Sequence, residues 1–129
     1  MLPIPTKQAT VKAAKALTDA CHNRARRNGW WSNLKTGKPK KRPVPELLCL
    51  VHSEISEALE GFRKNQKDDH LKNRSMLEVE LADAVIRIFD TAGGLGLDLA
   101  GALAEKLEYN DKRADHKPEN RAKKGGKKI

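Results

Sequence analysis

Four acidic residues in two equal pairs are the feature of this sequence most able to do chemistry. Glu54 and Glu57 stand three residues apart, and Glu80 and Asp83 repeat that spacing in the next apolar segment. Residues three apart lie on one face of a helix, so each pair would point the same way. Carboxylates beside apolar faces are unfavourable alone, and Mg²⁺ or Mn²⁺ relieves this by taking their oxygens as ligands. Solvent-facing acids would explain one pair; two consecutive pairs favour metal binding.

The periodicity of the apolar residues predicts four helices, with the acids on the middle two. The first is expected from a Thr6 cap to about Arg27, the second from about 45 to 61, the third from Ser75 to about Ala92, and the fourth from an Asp98 cap to about Arg113. Ser75 and Glu78 form a capping box, and Gly93, Gly94 and Gly96 are expected to end the third helix. Residues 28–45 and 63–74 are predicted to be loops. No strand pattern is visible, so the expected fold class is all-α.

Charge is distributed unevenly along the chain. Residues 1–45 hold eleven Lys or Arg and one Asp or Glu. Residues 46–112 hold eight basic and fourteen acidic residues, and residues 113–129 hold seven basic and two acidic residues. An acidic centre between basic arms suits a protein that binds a metal and a polyanion together, and it also suits plain attraction to nucleic acid. The 129 residues are enough for one domain with a modest core.

The two cysteines, Cys21 and Cys49, are isolated and are expected to be reduced thiols. A zinc site that joins them to His22 and His52 would have a spacing that matches no common zinc pattern. No segment approaches the ~18 apolar residues of a membrane span. These observations predict a cytoplasmic protein that does not enter a membrane.

At the level of motifs, Glu54-x-x-Glu57 followed by Glu80-x-x-Asp83 resembles the ExxE…ExxD signature of the MazG-like all-α nucleoside triphosphate pyrophosphohydrolases. The similarity continues through Leu95–Leu99 and Glu105–Arg113 and covers roughly residues 28–121; the segment around Trp30 and Trp31 looks like a phage-type branch. The resemblance implies a four-helix MazG-like core in a domain of residues 1–121, assembled as a homodimer or a dimer of dimers. Residues 122–129, rich in lysine, lie outside the pattern and are expected to form a disordered basic tail.

The resemblance also implies an activity. Members of the family bind Mg²⁺ or Mn²⁺ on the four acids and cleave a (d)NTP between the α and β phosphates, which gives the monophosphate and pyrophosphate. Glu54, Glu57, Glu80 and Asp83 would then hold two or more ions per active site. Glu57 is the most plausible acid to orient the attacking water, with Glu54 beside it as the other catalytic candidate. The preferred base cannot be read from the sequence, and dGTP is the best guess.

Candidate substrate-binding residues lie outside the acidic pairs. One of the adjacent Trp30 and Trp31 can pack inward while the other stacks on a base. Arg87 either pairs with a nearby acid or reaches a phosphate. Lys106, Asn110 and Arg113 share one face of the fourth helix, which alone would be an ordinary solvated face; the resemblance implies that Lys106 and Asn110 contact phosphate or sugar. The remaining candidates are Asn33 for a base edge and Lys117 for phosphate. Glu60 and Asp90 are expected to be surface or capping residues, or else to support the metal ligands.

The rival hypothesis is a non-enzymatic, basic helical protein that binds nucleic acid. The basic N-terminal region and the lysine-rich tail favour it. The basic runs lack interleaved aromatic residues, however, and this hypothesis leaves the four acids unexplained. We therefore expect a (d)NTP substrate and no stable nucleic-acid partner.

Overall fold

Every regular element in this protein is a helix. The computed structural model describes all 129 residues. The helices are α1 (Lys7–Arg27), α2 (Val44–Arg63), α3 (Met76–Leu95), α4 (Leu99–Lys112) and α5 (Pro118–Arg121), with one turn of 3-10 helix at Ala114–His116. Extended pairing is limited to two isolated bridges, Ser32 with Pro39 and Lys67 with Ser75. The prediction of an all-α protein is confirmed. None of the helices combines the length and the apolar character needed to cross a membrane.

Three helices begin at the capping residues predicted from the sequence. Thr6 Oγ1 accepts from the backbone N–H of Ala9 at 3.1 Å, and Ser75 Oγ accepts from that of Glu78 at 3.1 Å. Asp98 Oδ1 accepts from the N–H of Gly101 at 3.0 Å. Each bond satisfies an amide of the first turn that has no partner within the helix.

The chain divides into two compact units. One consists of Met1–Ala16 and Asp98–Ile129, and the other of Leu17–Leu97. In the first unit, small side chains such as Ala14, Ala100 and Ala104 are buried. In the second, α2 and α3 pack against each other and bury Leu47, Ala58, Ala84, Phe89 and Ala92. All four acids of the two pairs therefore lie in the second unit, on the two helices that form its centre.

The predicted end of α3 at Ala92 is wrong. The helix continues through Gly93 and Gly94 to Leu95, and Gly96 ends it in the left-handed conformation with φ 68°. The first two glycines serve close packing, because a Cβ on Gly93 would lie 2.6 Å from the Cβ of His22 and one on Gly94 would overlap the Trp31 ring. They bring α3 into contact with α1 and with the segment that follows α1.

Gly94→Ala tests this packing. In an ordinary helix interior the change would add about 1 kcal/mol of stability through helix propensity. Here we expect a net loss, since the new methyl group would displace the Trp31 indole; urea unfolding followed by circular dichroism would measure it. Ala82→Gly, at an exposed position of the same helix, calibrates propensity alone. A Gly94→Ala protein more stable than the wild type would contradict the close contact.

Candidate metal centre

Packing of α2 against α3 brings three of the four predicted ligands together. Carboxylate oxygens of Glu54, Glu57 and Glu80 all lie within 4.8 Å of one another. No other set of three or more His, Cys, Asp or Glu side chains in the protein is grouped in this way. We call these three residues the glutamate cluster. Oxygen donors at this separation suit a hard divalent cation such as Mg²⁺ or Mn²⁺.

Exposure to solvent increases across the glutamate cluster. Glu54 is only 7% exposed, Glu80 is half-buried and Glu57 is exposed. One end of the cluster is therefore embedded between the helices while the other is open to water. Water or the oxygens of a substrate can therefore reach the cluster beside Glu57. A catalytic metal site needs such an open position, whereas a structural metal site is closed.

Asp83, the fourth acid of the sequence pattern, lies outside this compact group. It lines a cavity together with Glu54. Burial raises the pKa of Asp83, and the negative charge of Glu54 raises it further. Asp83 is thus close enough to feel Glu54, but on the cavity side of the cluster.

The buried Glu54 is held in its ionised form by an arginine. Arg87 Nε donates to Glu54 Oε1 at 2.7 Å. Burial favours the neutral acid, but the bonds from Arg87 and from Glu80 outweigh it and lower the pKa of Glu54. Of the two fates foreseen for Arg87, pairing with an acid is the one observed. Its terminal amino groups make no hydrogen bond within the chain.

Glu80 has the opposite tendency. Burial, a hydrogen bond with Glu54 and the charge of Glu57 raise its pKa to about 7. Without a metal, the cluster therefore retains a proton up to about pH 7. A divalent ion at the cluster would replace that proton, because carboxylate ligands bind metals in the ionised form.

The raised pKa of Glu80 makes the stability of the metal-free protein fall with pH. The folded state holds this proton up to about pH 7 while the unfolded chain releases it near 4.5. The contribution is thus complete below pH 4.5 and is lost as pH rises through about 7. We expect the free energy of unfolding in EDTA to drop by about 1–3 kcal/mol from this group between acidic and mildly basic pH.

Glu80→Gln should remove that part of the pH dependence, as measured by urea unfolding across the same range. Glu78→Gln is the matched control: it lies on the same helix, pairs with Arg74 at 3.1 Å and has a lowered pKa. The control should keep the wild-type decline with pH. An unchanged pH dependence in Glu80→Gln would show that the proton resides elsewhere.

A cavity of about 520 Å³ adjoins the glutamate cluster. It is lined by Ala20, Cys21, Arg24, Ala25, Asn28, Trp30, Arg42, Glu54, Asp83, Ile86, Arg87 and Asp90, all within the second unit. Glu54 belongs to both the cavity and the cluster. The volume lies in the range of small-molecule sites. Three arginines and three carboxylates line it, and Arg87 and Arg42 are each paired with one of those carboxylates.

The two adjacent tryptophans have different environments. Trp31 is half-buried, and its Nε1–H donates to Asp90 Oδ1 at 2.8 Å. Trp30 is 61% exposed and lines the cavity. One ring therefore packs inward and the other is available at the cavity. Stacking of Trp30 on a base stays a prediction.

Sequence reasoning missed the surroundings of Asp90. This half-buried carboxylate lies 2.9 Å from His22 Nδ1 and 3.6 Å from Arg42 Nη1, besides accepting from Trp31. The Arg42 guanidinium lies 4.7 Å from the centre of a Trp31 ring. These contacts join residues far apart along the chain, and neither His22 nor Arg42 belongs to a recognisable motif. The only available signal was the position of Asp90, two helical turns after Asp83.

Two other candidate residues, Asn33 and Glu60, lie outside the cavity lining. Asn33 Oδ1 accepts from the N–H groups of Lys35 and Thr36, at 2.9 and 3.1 Å, and so closes a turn. Glu60 forms surface ion pairs with Lys64 and Arg63. The conceivable zinc ligands, Cys21, His22, Cys49 and His52, do not form a metal-binding group.

The candidates on α4 and beyond belong to the first unit. The Lys106 ammonium lies 4.6 Å from the centre of the Tyr109 ring, and Arg113 donates two hydrogen bonds to Asp115, at 3.0 and 2.7 Å. Asn110 and Lys117 line one shallow pocket, and Asn110 Oδ1 is buried without a hydrogen-bond partner. Their predicted roles in substrate binding stay predictions.

Taken together, the fold and the site define an all-helical protein with a glutamate cluster beside a cavity rich in arginine. Comparisons of the chain with protein-family models, with curated proteins and with solved structures gave no significant match. The functional argument therefore depends on the chemistry and geometry of the site.

Proposed function

We propose that this protein is a divalent-metal-dependent nucleoside triphosphate pyrophosphohydrolase of the MazG-like kind. The observation that supports it most strongly is that Glu54 belongs both to the glutamate cluster and to the arginine-lined cavity. A metal at the cluster would thus lie beside any ligand in the cavity. A nucleotide with a polyphosphate needs that juxtaposition of hard cation and fixed positive charge.

The residues of the cluster fit a bound Mg²⁺ or Mn²⁺. Such an ion, when bound, neutralises phosphate charge and lowers the pKa of a water molecule. Glu54 and Glu80 supply oxygens from the interior, and the exposed Glu57 supplies one at the solvent side. Its exposure makes Glu57 the carboxylate best placed to accept a proton from an attacking water. Asp83 would contact an ion or a bound water on the cavity side.

Arginines of the cavity would bind the phosphates. Arg87 uses Nε to hold Glu54 and keeps two terminal amino groups for phosphate oxygens. Arg24 and Arg42 line the same cavity. Fixed guanidinium groups beside the scissile bond stabilise the charge that develops on the phosphates in the transition state. Trp30 offers an exposed indole for the base, and dGTP is the first substrate to test.

The product distinguishes this proposal from other metal-dependent phosphatases. With Mg²⁺ or Mn²⁺, the protein should convert a deoxynucleoside triphosphate to its monophosphate and release pyrophosphate. Chromatography of the products from all eight common NTPs and dNTPs would measure both the bond cleaved and the base preferred. Orthophosphate as the sole initial product would reject the proposal, and a nucleic-acid-binding protein without activity would hydrolyse none of them.

Removal of a ligand charge should abolish most of this activity. We expect Glu57→Gln and Asp83→Asn each to lower kcat/KM by about two orders of magnitude or more, because each loses an anionic metal contact. Glu60→Gln, one turn after Glu57 and paired with Lys64, is the matched control and should stay near wild type. Thermal unfolding should show that all three fold. Near-wild-type turnover in Glu57→Gln would place the site elsewhere.

A homodimer or a dimer of dimers is also part of this proposal. No side chain of the single chain is fully buried. Several of the apolar residues that are more than 40% exposed form one stripe on α2 and another on α3: Leu48, Ile55, Leu59 and Phe62, and Leu81, Val85 and Ile88. Stripes of this kind require a partner, and a second copy would bury like surfaces against each other.

Light scattering tests the assembly. The wild type should have the mass of a dimer or a tetramer of the 14.4 kDa chain. Ile55→Glu and Val85→Glu should shift it towards the monomer, because each buries a charge in an apolar interface. Leu71→Glu, at an exposed apolar residue in a loop, is the control and should leave the mass unchanged. A monomeric wild type would contradict this part of the proposal.

A further inference from the structure

Asp90 is the polar connection between α3 and the segment that carries Trp30 and Arg42. Its Oδ1 accepts from Trp31 Nε1 at 2.8 Å, and its Oδ2 lies 3.6 Å from Arg42 Nη1. Both arginine and carboxylate are largely buried, with side chains 17% and 15% exposed. Ionic contacts that are shielded from water hold geometry better than exposed pairs, which water screens.

The other hydrogen bonds of this segment do not reach α3. Lys40 N–H donates to the carbonyl of Trp31 at 2.9 Å, and the Asn33 N–H donates to the carbonyl of Lys38 at 2.9 Å, so the segment is closed on itself. The Trp30 N–H donates to the carbonyl of Ala25 in α1 at 3.1 Å. Without Asp90, the segment would keep its internal shape and its attachment to α1 but lose its polar attachment to α3.

His22 completes the arrangement. Its Nδ1 lies 2.9 Å from Asp90 Oδ1, and its ring meets that of Trp31 edge-on with centroids 5.4 Å apart. The imidazole thus packs beside the indole that Asp90 holds, and Gly94 leaves room for the indole against α3. These contacts hold the Trp31 side chain, and they thereby constrain the backbone of the residues on either side of it.

We propose that Asp90 is a positioning residue for nucleotide binding: it fixes residues 30–42 against α3 and so sets Trp30 and Arg42 on the cavity wall. The ligand assigned to the cavity rests on the proposed function. The glutamate cluster does not depend on this anchor, because its three members come from α2 and α3 alone. Loss of Asp90 should therefore weaken substrate binding while metal binding and the chemical step persist.

Steady-state kinetics of Asp90→Ala, Asp90→Asn and Trp31→Phe would test this role. Trp31→Phe removes the Nε1 donor and the outer indole carbons that pack at Gly94, so it provides a second variant that leaves the Asp90 carboxylate in place. We expect KM for the best dNTP to rise about tenfold in Asp90→Ala with kcat changed less than about threefold, the pattern of lost ground-state binding. Trp30→Ala should show the same pattern, and the two changes together should cost less than their sum, since both act on one wall.

Asp98→Ala is the matched control for general destabilisation. It removes the carboxylate that caps α4, in the other unit, and should leave KM unchanged. An Asp90→Ala enzyme with wild-type KM, or effects of Asp90→Ala and Trp30→Ala that are fully additive, would overturn the inference.

A second readout needs no turnover. Trp30→Phe leaves Trp31 as the sole tryptophan. In that background, Asp90→Ala, which removes the acceptor of the Trp31 hydrogen bond, should increase quenching of the fluorescence by acrylamide, while the midpoint of a Mn²⁺ titration of thermal stability should not move. Unchanged quenching would overturn the anchor. A wild type that turns over no nucleotide, with quenching still increased, would instead reject the proposed function and leave the anchor standing.

Discussion

Burial of one carboxylate between two helices is the constraint on which the rest of this structure depends. Glu54 lies at the contact of α2 with α3, where an isolated charge would be strongly unfavourable. Arg87 satisfies it with a hydrogen bond of 2.7 Å. The pair links the two helices, because the arginine is on α3 and the glutamate is on α2. In this packing, Glu57 and Glu80 come to lie beside Glu54.

Small residues make this approach possible. Ala58 and Ala84 are buried, and a Cβ on Gly61 would lie 2.6 Å from the Cβ of Met76. Helices that meet through small side chains lie close together, and short acidic side chains can then share an ion across the contact. Because the buried side chains are small, the core is small too, and several large apolar side chains of α2 and α3 stay exposed.

Features that depend on local sequence were predictable, and those that depend on distant contacts were not. The caps at Thr6, Ser75 and Asp98 act within a few residues, so spacing was enough to locate them. The grouping of Glu54 with Glu80 could be anticipated because helices that follow each other in the sequence usually pack together. The extension of α3 through Gly93 and Gly94 could not, because two glycines favour a helix end unless some distant ring needs the space. His22, Trp31 and Asp90 meet only in the fold, and no motif in the sequence joins them.

The presence of Glu54 in both the cluster and the cavity has a thermodynamic consequence. Whatever neutralises its charge at the cluster also changes the potential felt by an anion in the cavity, and the reverse is equally true. If a divalent ion raises the affinity of the cavity for an anion by some factor, the anion must raise the affinity for the ion by the same factor. If the proposed metal and anion both bind, a single carboxylate would thereby couple the occupancy of the two sites without any change of conformation between them.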